Sequence, residues 1–385
     1  MSSEVSSSGA WWAQWNPDDI SVGSEEVSDA WKVCVIDGVY FGGNAYSGSL
    51  GARISSIFVI LVVSTLCTLF PVVASRVKWL KVPRYVYLFA RYFGTGVIVA
   101  TAFIHLLDPA YGEIGPSSCV GRSGHWEDYA WCPAIVLVTV FIVFLVDLAS
   151  DVFVQRRYGV KHNHGGDNIE TAIVKNNVNT APHTTDLEID GHAHAMNVAD
   201  SDEKSKKSYD LVSNASTEVI MQSFESQIAA FLVLEFGVIF HSVMIGLNLG
   251  TTDDEFSTLY PVLVFHQSFE GLGIGARLSN IEFPKGKEWW PYALCVAYGL
   301  ATPICVAIGL GVKNTYDGNS YSVNVVSGVL DAISAGILIY TGLVELLARD
   351  FIFDENRTND VPRLLFMVIC TLFGAGLMAL LGKWA

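Results

Sequence analysis

Phe240-His241-Ser242-Val243-Met244-Ile245-Gly246-Leu247-Asn248-Leu249-Gly250 and Phe265-His266-Gln267-Ser268-Phe269-Glu270-Gly271-Leu272-Gly273-Ile274-Gly275 decide how the rest of the chain is read. Each stretch lies inside an apolar segment long enough to cross a bilayer. An ionisable side chain there costs several kcal/mol unless something compensates, so it marks function by default. His266 and Glu270 are spaced i, i+4 and share one helical face, roughly 5–6 Å apart. His241 and Asn248, seven apart, share a stripe. The connection 251–255 is short and acidic, so the two segments run antiparallel. That arrangement brings two mid-span imidazoles and a carboxylate to one depth. Imidazole with carboxylate suits zinc, and also iron, manganese, nickel or copper, whereas an all-oxygen set would suit calcium or magnesium. Gly246 and Gly250 against Gly271, Gly273 and Gly275 are small residues expected to let the two backbones approach each other.

Outward from this pair, the 385 residues are 51% hydrophobic and only 16% charged, against about 25% charged in an average soluble domain. The shortfall is concentrated in apolar runs of about 20 residues, the length that spans the hydrocarbon core as a helix. The expected fold class is an all-α integral membrane protein with eight transmembrane helices, near 50–75, 85–107, 131–154, 224–250, 256–279, 289–312, 321–347 and 362–383. Most of the 23 Lys and Arg residues fall in the first, third, fifth and seventh connections. By the positive-inside rule those connections are cytosolic and both termini are extracellular. The chain then divides into an extracellular segment 1–49, helices one to three over 50–154, a cytosolic loop over 155–222, and helices four to eight over 223–385. No secretory signal is expected in the first segment, which contains no apolar h-region.

The loop is rich in Asn, Asp, Thr, Lys and Ser and reads as largely disordered. His162, His164, His183, His192 and His194 form short histidine tracts that fit metal sensing or buffering. Lys204, Lys206 and Lys207 are candidate ubiquitination sites, which would make a ubiquitin ligase a partner. Cys67, Cys295, Cys305 and Cys370 fall within spans as packing residues. Cys34, Cys119 and Cys132 fall on the external side, where disulfides persist. The sequence does not choose among their pairings; a Cys119–Cys132 bridge would staple the second connection.

His105 and Asp108, at i, i+3 toward the outer end of span two, read as an entrance or gate, or equally as a helix end in contact with water. Glu235, six residues before His241, is turned to another face. It reads as a hydrogen-bonded structural carboxylate, with a proton or relay role as the alternative.

The net charge of −15 argues against nucleic acid as a partner; lipid and divalent metal are the expected ones. An intramembrane metalloprotease would need H-E-x-x-H, with the glutamate as general base. Here Gln267 follows His266, and that motif occurs nowhere, so no enzyme is expected. Nor is there a Walker A loop to couple transport to a nucleotide.

H-S-V-M-I-G-x-x-L-G from His241 and H-Q-x-F-E-G-x-x-x-G from His266 resemble the fourth- and fifth-helix signatures of the Zrt/Irt-like (ZIP) metal transporters. F-I-H-L-L-D-P-A at 103–110 and L-D-A-I-S-A-G-I-L-I-Y at 330–340 are similar to family segments too. Nearly the whole chain resembles the fungal plasma-membrane zinc importers of that family. The resemblance implies a 3+2+3 arrangement with inverted repeats around helices four and five, a homodimer, and zinc import, with broader iron or manganese import or a metal-sensing receptor as alternatives. It implies a transport site of His241, His266 and Glu270, with Ser242, Gln267 and Asn248 as secondary positions. Zinc is then the cargo, and no cofactor is expected. Members with a two-metal centre carry an acid where this chain has Ile245, and an acid or amide beside both histidines, where it has Ser242 and Gln267; some relatives also carry an acid where this chain has Thr302. A second metal would lack carboxylates, so a single primary site is expected.

Overall fold

A computed structural model describes residues 29–36, 38–39, 49–77, 82–158, 201–252, 256–313, 320–353, 358 and 360–383. The regular structure described is all helical. After a short α1 (Asp29–Ile36) come α2 (Leu50–Arg76) and α3 (Arg84–Ala100), the latter continued by a π-helical turn (Thr101–Leu107) into α4 (Asp108–Ile114). Then follow α5 (Trp131–Tyr158), α6 (Ser201–Thr251), α7 (Phe256–Asn280), α8 (Trp290–Val312) and α9 (Tyr321–Tyr340), which is continued by a π-helical segment (Thr341–Phe353). The last helix is α10 (Val361–Leu381).

Seven of these helical stretches are long and apolar enough to cross a membrane. α7 is not among them, although its 25 residues match the fifth expected span. It is made polar by the side chains that carry the chemistry, and the fold encloses it accordingly. His266, Gln267, Glu270, Gly271, Gly273, Ile274 and Gly275 are all buried, in a helix that packs against α2 and α3. The lipid-facing role goes to helices such as α5, where Leu137, Val138, Phe141, Ile142 and Leu145 are all exposed. In water such an apolar surface would be a liability; in a bilayer it is the solvent-matched face.

Several expectations change. Span two does not stop near residue 107: the helix runs from Tyr85 to Ile114. Pro109 lacks the N–H that would close the ladder onto the His105 carbonyl, and the chain passes this point in a wider π turn, a geometry frequent at functional sites. The segment expected to lack structure is cut short as well, because α6 begins at Ser201 and is continuous with span four.

The glycines of spans four and five do not face each other. Gly246 and Gly250 lie against Cys305 and Gly309 of α8, Gly271 and Gly275 against Thr68 of α2, and Gly273 against Gly94 of α3. Each stripe lets a flanking helix approach the central pair. A Cβ on Gly273 would stand 2.7 Å from Gly94 Cα, so α3 and α7 touch backbone to backbone.

The disulfide expectation is corrected too. Cys34 pairs with Cys119, and Cys132 is a buried free thiol. α1 lies against the 3₁₀ turn Val120–Arg122 and so brings Cys34 to Cys119, whereas Cys132 is packed with Ala110, Ile114 and Ala332.

Two polar ties hold the bundle ends. Arg53 is fully buried and donates from Nη1 to the carbonyls of Leu249 and Gly250, both at 3.3 Å, and from Nη2 to Thr252. A guanidinium here satisfies carbonyls that a helix C-terminus leaves unpaired. Arg91 forms a two-point ion pair with Asp350, at 2.7 and 3.2 Å, tying α3 to the segment after α9.

Candidate metal centre

α6 and α7 bring His241, His266 and Glu270 together as the sequence predicts. All three are buried, and one ligand atom from each lies within 4.8 Å of the others. The two imidazole Nε2 atoms are 3.2 Å apart. Two nitrogens bound tetrahedrally to one zinc at 2.0–2.1 Å would be about 3.3 Å apart; the rings, which here share one N–H···N hydrogen bond, are thus already at a spacing that fits two ligands on a single ion. Glu270 Oε2 lies 4.0 Å from His266 Nε2, within a small side-chain adjustment of the same sphere.

The polar rim around these three is incompletely paired. His241 Nδ1, Ser242 Oγ, Gln267 Nε2, Glu270 Oε1 and Thr302 Oγ1 are buried with no hydrogen-bond partner among the described residues. In folded proteins most buried polar atoms find a partner. Their concentration around two imidazoles and a carboxylate suits a hydrated or partly hydrated cation. Tyr298, from α8, places its hydroxyl 3.0 Å from Gln267 Oε1 and 3.1 Å from Glu270 Oε2. With one proton it donates to one of them at a time and ties both side chains to α8.

The chain matches the ZIP Zinc transporter family over residues 50–382. It belongs to that family. Zinc-regulated transporter 1 of Saccharomyces cerevisiae is 61% identical over 97% of this chain and 98% of its own length. Zinc-regulated transporter 1 of Schizosaccharomyces pombe is 39% identical over 88% and 86%. Zinc transporter 5 of rice, Oryza sativa subsp. japonica, is 30% identical over 89% and 90%. No solved structure matches the chain. ZIP proteins are transporters, in keeping with the missing H-E-x-x-H.

The remaining expected positions of this ZIP chain divide sharply. Ser242 and Gln267 are fully buried beside the histidines. Asn248 is exposed, two turns beyond His241, and is not part of the cluster. His105 and Asp108 also separate. Asp108 is exposed. His105 is buried, its ring against that of His266 and its Nε2 donating to the Met378 carbonyl of α10 at 3.0 Å. The expected entrance residue is therefore a neighbour of the His241, His266 and Glu270 cluster. His162, His164, His183, His192 and His194 lie outside the described residues; Lys204, Lys206 and Lys207 are on α6, with side chains outside them.

Sequence reading missed Tyr298. A signal existed: a tyrosine hydroxyl inside an apolar span needs a partner when buried.

Proposed function

We propose that this chain imports zinc into the cytosol across the plasma membrane, passing the ion through His241, His266 and Glu270. The observation that carries this reading is the convergence of two buried imidazoles and a buried carboxylate, with one ligand atom from each within 4.8 Å of the others. The relatives, two zinc-regulated transporters and a zinc transporter, point to the same cargo. The donor set also suits iron and manganese, so cargo choice is a matter for competition. A sensing receptor with the same site would bind zinc without net flux.

In this reading α7 is an eighth crossing, and the chain has the 3+2+3 arrangement with inverted repeats around α6 and α7. Both termini are extracellular, the 155–222 segment is cytosolic, and the protein works as a homodimer. The Cys34–Cys119 bridge supports this topology. It joins a residue before α2 to one after α4, so the two intervening helical stretches return the chain to one face, and disulfides persist on the outer one. Loop histidines sense or buffer zinc, and Lys204, Lys206 and Lys207 accept ubiquitin from a ligase that controls surface abundance. The transport site has one primary metal, because Ile245, Ser242, Gln267 and Thr302 supply no second carboxylate set.

The test is uptake of radiolabelled zinc in cells lacking their own importers, with iron, manganese and copper as competitors. Saturable uptake resistant to the other metals supports the proposal. Uptake no greater than in cells without the protein, at normal surface abundance, sinks it in favour of a receptor.

A further inference from the structure

Glu235 lies on α6, six residues before His241. It is 6% exposed, and both carboxylate oxygens are buried with no hydrogen-bond partner among the described residues. The structural carboxylate that the sequence suggests would need such partners; Glu235 has none of them.

Its surroundings point elsewhere. Glu235, Glu270 and Tyr298 are all enclosed in the same helical bundle. α6 and α7 run antiparallel, so six residues back from His241 and four on from His266 lead in the same direction. At 1.5 Å per residue these steps are about 9 Å and about 6 Å. Both carboxylates therefore lie on one side of the imidazole pair, toward the N-terminal part of α6. Tyr298 reaches Glu270 there. Two buried carboxylates in an apolar bundle are costly without a cation between them, and an ion leaving the imidazoles in that direction passes the depth of both.

We infer that Glu235 and Glu270 form a second, all-oxygen station for the divalent metal on the cytosolic side of His241 and His266, with Glu235 receiving the ion from the transport site. This rests on the transport reading above. Carboxylate oxygen alone is a poorer match for zinc than imidazole with carboxylate. A weaker station after a stronger one is what throughput requires, since an ion has to be held well enough to enter and loosely enough to leave. Glu270 belongs to both stations and hands the ion on without leaving it bare of ligands.

The experiment uses the full chain, purified and reconstituted into proteoliposomes, comparing wild type, Glu235→Gln, Glu235→Asp and His241→Ala. Zinc binding in detergent is measured beside zinc flux. Gln keeps the volume and hydrogen-bonding capacity of the side chain but removes the anionic ligand. Glu235→Gln is expected to bind zinc at the imidazole site and keep KM within about two-fold, while maximal flux falls on the order of ten-fold, the pattern of a step after binding. Glu235→Asp is expected in between. A Glu235→Gln flux within about two-fold of wild type overturns the inference, as does Glu235→Asp no faster than Glu235→Gln. Should Glu235→Gln not fold, Glu235→Asp decides alone: reduced maximal flux at unchanged KM supports the station, and unchanged flux removes it. His241→Ala separates the two readings, because normal binding and flux in that variant would overturn the transport site and leave the Glu235 result to stand by itself.

Discussion

The rings of His105 and His266 meet edge to face, with centroids 4.8 Å apart and planes at 89°. His105 donates in turn to the Met378 carbonyl, so α10 fixes a ring packed against His266, which the proposed function makes a transport ligand. Groups that orient a ligand in this way typically contribute 10–100-fold to metal affinity or activity. His105→Ala is expected to lower zinc uptake on the order of ten-fold without abolishing it, at unchanged surface abundance. Uptake equal to wild type would reduce the contact to packing.

His241, His266 and Glu270 should behave as a unit. Each single alanine variant is expected to abolish saturable uptake while the protein still reaches the surface. Imidazole binds a metal only when unprotonated, so binding displaces protons. Zinc affinity should therefore fall as pH is lowered and recover as it is raised. A zinc titration of purified protein at several pH values reads this directly, and affinity independent of pH would exclude the histidines as ligands.

Tyr298→Phe removes one hydroxyl and little volume. Gln267 Oε1 and Glu270 Oε2 lose their shared donor, and Glu270 loses its fixed orientation. Zinc affinity is expected to drop about ten-fold with little change in thermal stability. Isothermal titration alongside a melting curve separates the two effects.

Gly273→Ala places a methyl group 2.7 Å from Gly94 Cα, where backbone on both sides prevents relief. Overpacking of this kind costs about 1–3 kcal/mol, seen as a lower melting temperature in detergent. Gly376→Ala, with nothing within 4 Å of the added carbon, is the matched control and should leave melting unchanged.

Much of this was legible in the sequence because apolar spans allow few ionisable residues and those few name the site. His241, His266 and Glu270 could be read from depth and i, i+4 spacing alone. Depth failed for His105: its span is expected to end near residue 107, whereas the helix continues through Pro109 to Ile114. Periodicity failed for Asn248, since sharing a stripe with His241 does not keep a residue enclosed two turns further on. The glycine stripes correctly announced close contacts but carried no information on which helix would fill them. The cysteine pairing depended on where α1 docks, a long-range contact that no local pattern encodes.

Cys34 and Cys119 are 85 positions apart, with two bilayer-length helical stretches between them. During synthesis, Cys34 emerges long before its partner exists. The bond can close only after α2 and then α3–α4 have been threaded and the second cysteine has arrived on the same face. The bridge therefore works as a timestamp of biogenesis: in a pulse-labelled population, the oxidised fraction counts the chains whose first helical hairpin is fully inserted.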